Sequence, residues 1–286
     1  MKQMIRYFVL DIRKGTVMKW RLYAVYFLLV LGLSFLNETY YEWSILFGPD
    51  NAMTSFPLSL GDLLIVLFAG RDVYYPTSGM PFWLPVSWMF IVLMALYLTL
   101  DYPSFDLGSV GANTLVRGKS RTAWWIGKSL WVMASVLLFC LLVLLAAVVV
   151  VVINGGELSL DVHTELPQVL GFNLAGLTGS PWDVGLFLLS IPMVLCSLCL
   201  VQMFLSFVIY PLPSFGCMAV ILFLSAYFDL ELLPGEYLMA ARNAIFEVGG
   251  FRTEIGLLFA FALGVWATMC GALIFRYRDV FGKEQS

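Results

Sequence analysis

Long apolar runs alternate with short polar segments along the whole chain. Six of these runs approach or reach the roughly 20 residues that a helix needs to cross the hydrocarbon core of a bilayer. They comprise residues 20–36, 81–100, 130–153, 184–210, 215–230 and 255–275. A backbone inside the bilayer must satisfy its hydrogen bonds internally, so each run predicts a helix. The pattern therefore predicts an all-α polytopic membrane protein with six transmembrane helices, folded as a single domain over residues 1–286.

Two shorter apolar runs carry charged residues and do not reach spanning length. Residues 58–69 contain Asp62, and residues 234–248 combine apolar positions at helical spacing with several charged side chains. A short charged segment is poorly suited to cross the hydrocarbon core. We therefore expect both segments to form re-entrant or interfacial helices on the outer side of the membrane.

The first 19 residues have an amphipathic pattern that differs from the spans. Apolar residues recur at i, i+3, i+4 and i+7, at Ile5, Phe8, Val9 and Ile12. This spacing predicts an N-terminal amphipathic helix that lies in the membrane interface. The basic residues that would face lipid headgroups or a protein partner are Arg6, Arg13 and Lys14. The pattern is compatible with a plain membrane anchor and with a docking element.

Lysine and arginine are distributed unevenly among the segments that separate the runs. Thirteen of the 16 lie before or at the start of the first run, between the second and third runs, or after the last run. Cytoplasmic segments carry the excess of Lys and Arg, so both termini and residues 101–129 are predicted to be cytoplasmic. The predicted extracytoplasmic loops are residues 37–80, 154–183 and 231–254. These loops hold many Asp and Glu residues, which would suit contact with cationic molecules.

Composition supports a membrane protein and excludes several other classes. The chain is 61% hydrophobic and 12% charged, with a mean hydropathy of +0.89, whereas about a quarter of the residues in soluble domains are charged. A net charge of −3 predicts no nucleic-acid partner. All five cysteines lie in apolar runs, so Cys196-x-x-Cys199 favours helix packing over a redox motif.

The segment between the second and third runs has the most informative pattern. Pro103 ends the second run, and a stretch of small and polar residues follows. That stretch includes Asp106, Gly108, Gly111 and Asn113, and the basic residues after it include Arg117, Lys119 and Arg121. The pattern is typical of an ordinary positive-inside loop. The pattern by itself favours that ordinary loop, and it also fits a loop whose small residues let another protein approach closely.

The organisation of the chain resembles that of ABC-2-type permeases, the membrane subunits of bacterial ATP-binding-cassette exporters. A basic amphipathic segment precedes six apolar runs, the inner loop reads LVRGKSRTAWWIGKSLW, and LLPGEYLMAARNAIFEVGG precedes the last run. The resemblance covers nearly the whole chain, although region 37–80 is longer than in the best-studied members of the family.

The resemblance implies roles for two segments and the presence of two partners. In that family the first inner loop forms a coupling helix seated in the ATPase subunit, which corresponds here to residues 106–118, flanked by Arg117, Lys119 and Arg121. The N-terminal helix corresponds to a connecting helix. An ATPase subunit carrying ATP–Mg and a second permease subunit, identical or related, are implied, as is a bacterial cytoplasmic membrane. The chain has no G-x-x-x-x-G-K-[ST] loop, so we expect no cofactor in it.

Polar residues at membrane depth are candidate pathway residues. They are Asp62, Gln202 and Asp229. Gln202 would either donate an interhelical hydrogen bond or contact a substrate, whereas the two aspartates would lie near the interface. The only histidine, His163, falls short of a metal site, and the spans hold no nucleophile–base pair, so we predict neither a metal centre nor an enzyme.

Small residues and tryptophans indicate how the helices pack. Small residues step along the last run at Gly256, Ala260, Gly264, Ala267 and Gly271. Such a ridge allows close helix contact, either within the chain or with a second subunit. The tryptophans flanking the runs are expected at the headgroup level of the membrane. Pro211 and Pro213 predict a tight turn between the fourth and fifth runs.

These observations lead to one principal functional expectation and one alternative. The principal expectation is a transmembrane permease subunit of an exporter, driven by ATP hydrolysis on a separate subunit, with a peptide, an antibiotic or a lipid-like molecule as substrate. The alternative is a non-transporting sensor or immunity protein that binds a ligand at its outer loops. An ATPase-docking element in the inner loop would distinguish the two.

Overall fold

A computed structural model describes residues 2–47, 57–75, 81–107, 120–163, 166, 170, 181–247 and 249–277. The described residues contain helices and turns but no β-strand. The nine α-helices among them are α1 (Lys2–Asp11), α2 (Trp20–Phe47), α3 (Leu60–Leu67), α4 (Val86–Leu100), α5 (Tyr102–Leu107), α6 (Arg121–Ile153), α7 (Pro181–Ile209), α8 (Pro211–Tyr227) and α9 (Thr253–Tyr277). The prediction of an all-helical chain is confirmed for these residues.

Five helical segments among the described residues are long and apolar enough to cross a membrane. They are Gln3–Tyr41, Val86–Asp106, Arg121–Ile153, Asp183–Ile209 and Thr253–Tyr277. The fifth predicted span forms α8, which is apolar but has only 17 residues. This organisation is that of a membrane-embedded protein.

The first segment is a continuous helix with an irregular middle. A π-helical turn over Ile12–Thr16 and a 3-10 turn over Val17–Lys19 join α1 to α2. The side of α1 that packs inward carries Tyr7, Asp11 and Gly15, which are buried, whereas the predicted apolar side is only partly covered. A helix is therefore present where the apolar spacing predicts one, and its position in the membrane interface stays a prediction.

The α7 helix lies at the centre of the bundle, where it packs against α4, α6, α8 and α9. The turn from α7 to α8 is as tight as the two prolines predicted: Pro211 occupies the first turn of α8, and Tyr210 before it has a φ of 79°. A positive φ is unusual for a tyrosine and allows the chain to reverse within one residue.

Four tryptophans expected at the membrane interface lie instead in the interior of the bundle. They are Trp88, Trp124, Trp125 and Trp131, each at most 1% exposed. The Trp125 ring also explains the small-residue ridge of α9, because it fills the space beside Gly271. At the other end of the ridge, Gly256 lies against Tyr237. The ridge thus packs against this chain itself.

The two short charged segments differ from each other. Residues 58–69 form α3, whose side chains are almost entirely buried and whose start has a capping box between Ser59 and Asp62. The predicted helix over 234–248 is wrong, because the described part of this stretch, residues 234–247, contains no helix longer than the 3-10 turns Glu236–Leu238 and Ala240–Arg242. Its backbone instead pairs with the end of α3, where the Ala240 and Ala241 amides donate to the Phe68 and Ala69 carbonyls at 2.9 Å.

Candidate functional site

A buried ionic cluster joins three helices at the end of the bundle that holds α1. The Lys128 ammonium lies 2.5 Å from Asp11 Oδ1 and 2.6 Å from Asp106 Oδ2. The Lys128 side chain is 1% exposed, and both carboxylates are almost fully buried. Buried charges persist only when they are paired and hydrogen-bonded, so this arrangement strongly constrains the three helices that supply it.

Two aromatic rings complete the surroundings of the ammonium group. The Tyr102 hydroxyl donates a hydrogen bond to Asp11 Oδ1 at 3.0 Å. The Lys128 ammonium lies 4.5 Å from the centre of the Tyr102 ring and 5.1 Å from that of Trp124. Both distances are within the range of cation–π attraction. We call the set Asp11, Tyr102, Asp106, Trp124 and Lys128 the Lys128 junction.

Close packing of α1 on α6 brings Asp11 to the Lys128 junction. Gly127 allows the approach, because a Cβ atom at that position would lie 2.9 Å from Tyr7 Cβ. Gly15 has the same role in the turn that follows Asp11, where a Cβ atom would lie 2.6 Å from Trp131 Nε1. The Trp131 indole donates to Thr16 Oγ1 at 3.2 Å, which holds the end of the π-helical turn.

The short helix α5 supplies the other two polar groups. It follows α4 after Asp101, whose carbonyl accepts the Phe105 amide at 2.8 Å. Tyr102 and Asp106 are four residues apart, so a helix places them on the same side. Asp106 is the last charged residue before segment 108–119, so the Lys128 junction connects the base of that segment to α1 and α6.

The residues predicted to form the docking loop are only partly described. Gly108, Gly111, Asn113, Arg117 and Lys119 lie outside the described residues. Asp106 belongs to the Lys128 junction, and Arg121 begins α6, where its Nη1 donates to the Arg276 carbonyl at 3.3 Å. In the N-terminal helix and the turn after it, Arg6 and Arg13 are exposed and Lys14 is half-buried.

The three candidate pathway residues lie in three separate places. Gln202 Nε2 donates to the Leu96 carbonyl at 2.9 Å, which supports the interhelical hydrogen bond, here between α7 and α4. Asp62 is fully buried. Its carboxylate accepts the Ser59 and His163 backbone amides, both at 2.9 Å, and contacts the His163 ring. Asp229 is exposed. The structure therefore does not bring these residues together.

A second buried charge lies at the opposite end of the bundle. The Arg242 guanidinium donates to the Ser225, Ala226, Phe228 and Arg71 carbonyls and contacts the Glu236 carboxylate. Burial raises the pKa of Glu236 to about 7, although the neighbouring guanidinium acts in the opposite direction. Burial also raises the pKa values of Asp72 and Glu247. We call Arg242 and the groups that it binds the Arg242 cap.

The sequence pattern does not reveal three members of the Lys128 junction. It places Lys128 only among the charges that orient the chain, and it assigns no role to Asp11 or Tyr102. A usable signal is present, because Lys128 lies between Trp125 and Trp131 in a stretch whose other side chains are largely apolar. A lone charge in such surroundings needs a buried partner.

Comparisons with known proteins give no independent assignment. No family model, no curated protein and no solved structure matches the chain. Among the described residues, no group of three or more His, Cys, Asp or Glu is placed to bind a metal ion.

Proposed function

We propose that the chain is the transmembrane permease subunit of an ATP-driven bacterial exporter. In this proposal α2, α4, α6, α7, α8 and α9 cross the plasma membrane, and α1 and both termini lie on the cytoplasmic side. A separate ATPase subunit docks on residues 106–118, and a second permease subunit completes the translocation pathway. The substrate is a peptide, an antibiotic or a lipid-like molecule.

The Lys128 junction is the observation that carries the proposal. A permease must transmit movement of its docked ATPase into the spanning helices. Lys128 binds Asp106 at the base of segment 108–119 and Asp11 on the N-terminal helix. Displacement of the docking segment would therefore act directly on α1, α4 and α6. A protein that only binds a ligand at its outer loops has no use for an ATPase-docking element.

Charge supports the orientation of the proposal. The end of the bundle that holds the Lys128 junction also holds Arg6, Arg13, Arg121 and Arg276. An excess of Lys and Arg is typical of the cytoplasmic side. The opposite end, around the Arg242 cap, includes Asp72, Glu236 and Glu247, which agrees with an extracytoplasmic location.

Purification from native membranes tests the proposal. The tagged full chain is extracted in a mild detergent, the co-purifying proteins are identified by mass spectrometry, and ATPase activity is measured. We expect a stoichiometric nucleotide-binding subunit that is lost when residues 111–117 are scrambled. A variant with residues 171–177 scrambled, in the predicted outer loop 154–183, is the matched control and should retain the partner.

Two results would contradict the proposal. One is a chain that purifies without a nucleotide-binding partner and without ATPase activity in several detergents. The other is a partner that the 111–117 variant retains. The first result would favour the sensor or immunity protein. The second would show that the ATPase subunit docks on another part of the chain.

A further inference from the structure

An apolar groove opens on the side of the bundle between α6, α7 and α9. It has a volume of about 440 Å³. Its lining includes Met133, Leu137, Met193, Gly264, Phe261 and Met269. These residues lie near the middle of three helices that are long enough to span a membrane. The groove therefore faces the hydrocarbon region and is of the size that accommodates a small ligand.

Its few polar groups do not offer a binding site for a polar molecule. The Ser197 hydroxyl donates to the Val194 carbonyl within its own helix at 2.8 Å. The Thr268 carbonyl accepts the Trp125 indole N–H at 3.0 Å. The Cys196 thiol contacts the Met133 carbonyl at 3.9 Å. The rest of the lining is mainly hydrocarbon and thioether, so an apolar chain fits there and a charged group does not.

Two arginines lie together at one end of α6 and α9, which are two of the three helices that line the groove. Arg121 begins α6 and Arg276 lies in the last turn of α9, and the Arg121 guanidinium donates to the Arg276 carbonyl at 3.3 Å. The Arg276 side chain is exposed. Guanidinium groups bind phosphate oxygens with favourable geometry, so this end of the α6–α9 pair is suited to an anionic headgroup.

The separation between the arginines and the groove matches the thickness of one leaflet. At a rise of 1.5 Å per residue, Thr268 and Gly264 lie about 12 and 18 Å from Arg276 along α9. Half of the hydrocarbon core of a bilayer is about 15 Å thick. Exposed apolar side chains, Met269 and Leu273, line α9 between the two places.

We propose that the groove and the two arginines together form a binding site for an anionic phospholipid, with its phosphate at Arg121 and Arg276 and one acyl chain in the groove. The charge of the arginines selects an anionic headgroup over a zwitterionic one. The apolar lining holds the chain. The site requires neither an ATPase partner nor transport.

Native mass spectrometry of the purified full chain tests the site. Phosphatidylglycerol or phosphatidylcholine is titrated into the detergent-solubilised protein, and the bound fraction gives an apparent dissociation constant for each lipid. We expect phosphatidylglycerol to bind about 25-fold more tightly, since each arginine near the membrane surface contributes roughly a factor of five. The double variant Arg121→Gln/Arg276→Gln should lose this preference, whereas Arg252→Gln, an exposed arginine at the other end of the bundle, should retain it.

A second pair of variants tests the groove. A Cβ atom at Gly264 makes only ordinary contacts, the nearest at 3.6 Å to Leu200, so the backbone there accepts a side chain and Gly264→Leu extends into the groove. It should weaken both lipids about tenfold and leave the preference for phosphatidylglycerol intact. Gly32→Leu is the matched control, because nothing lies within 4 Å of a Cβ atom there.

Three results would overturn the proposal. Equal binding of the two lipids by the unaltered chain would exclude selection by charge, as would a preference that survives Arg121→Gln/Arg276→Gln. Unchanged lipid binding in Gly264→Leu would exclude the groove as the chain site. A shift from dimer to monomer in Gly264→Leu alone would show that a second copy of the chain occupies the groove instead.

Discussion

The Lys128 junction and the Arg242 cap are both buried charges, but they bind different kinds of partner. Lys128 contacts side chains on two other helices, Asp11 and Asp106. Arg242 donates to four backbone carbonyls as well as to Glu236. Three of those carbonyls, of Ser225, Ala226 and Phe228, belong to the end of α8.

The difference indicates what each cluster does. Lysine is a compact point charge on a flexible stem, so it can keep its pairing while helices shift, whereas the planar fork of arginine fixes several acceptors at once. Arg242 therefore completes a folded structure, in which the carbonyls at the end of α8 would otherwise lack donors. Lys128 joins helices that are far apart in the chain through two buried ion pairs.

The largest effect is expected at the Arg242 cap. Arg242→Met should lower the free energy of unfolding by about 4–5 kcal/mol, because it leaves the Glu236 carboxylate and several buried carbonyls unpaired. Thermal unfolding of the purified chain in detergent measures the loss. Arg252→Gln is the control, since Arg252 is 69% exposed and lies 3.6 Å from an exposed Glu254, and it should have almost no effect. Similar melting temperatures for the two variants would contradict the assignment.

A somewhat smaller effect is expected at the Lys128 junction. Lys128→Met should destabilise the chain by about 3 kcal/mol, because two buried carboxylates lose their counter-charge. The triple variant Asp11→Asn/Asp106→Asn/Lys128→Met should recover most of this loss, since no unpaired charge remains. The same thermal unfolding measurement applies. A triple variant as unstable as Lys128→Met would mean that the ionic contacts themselves hold α1 and α5 in place.

The titration of Glu236 makes the stability of the folded chain depend on pH. The pKa of Glu236 rises from 4.5 to about 7 in the folded chain, so the folded state binds the proton more tightly than the unfolded state. The resulting stabilisation is complete below pH 4.5 and is lost as the pH rises through 7, by on the order of 2 kcal/mol. The charged groups that act on Glu236 are Arg242, which lowers its pKa, and Asp229, which raises it.

Thermal unfolding between pH 5 and pH 8 checks this expectation. The melting temperature of the unaltered chain should fall as the pH rises, and Asp72 and Glu247 contribute to the fall because their pKa values are also raised. The slope should become shallower in Glu236→Gln, whose side chain does not titrate. A slope that Glu236→Gln leaves unchanged would show that another group causes the dependence.

The smallest effect concerns the packing that brings α1 to the Lys128 junction. Gly127→Val should cost about 1–3 kcal/mol, because its Cβ atom would lie 2.9 Å from Tyr7 Cβ and would push α1 away from α6. A cysteine crosslink between α1 and α6 should form less efficiently in this variant. Gly32→Val is the control, and it should leave both stability and crosslinking unchanged. Normal crosslinking in Gly127→Val would show that close packing at Gly127 is not what brings α1 to the Lys128 junction.

Prediction from the sequence succeeded where a local pattern decides the structure. The runs around residues 130–153 and 255–275 became long apolar helices, and Pro211 marks the tight turn before α8. Prediction failed where a group that is distant in the sequence determines the local conformation. Residues 234–248 have helical spacing, yet Arg242 and the backbone of residues 68 and 69 hold them in an irregular conformation. The spacing of apolar residues contains no information about such acceptors.

The candidate site shows the same difference between what local patterns predict and what distant contacts determine. The resemblance to ABC-2-type permeases implies a docking role for Asp106 and Arg121, and that role stays a prediction. Asp11 and Lys128 are 117 residues apart, and nothing local indicates that they meet. Their contact depends on Gly127 letting α1 approach α6 and on α5 turning Asp106 inward.

The amino-acid sequence by itself determined the helical, membrane-embedded class of the chain, because transfer of apolar residues out of water and satisfaction of backbone hydrogen bonds depend on each segment alone. It also determined the places of the turns and the asymmetry of charge. Only the tertiary structure decided which charges are buried and paired. A charge becomes tolerable in the interior only when residues from other helices surround it, and that condition belongs to the packed bundle.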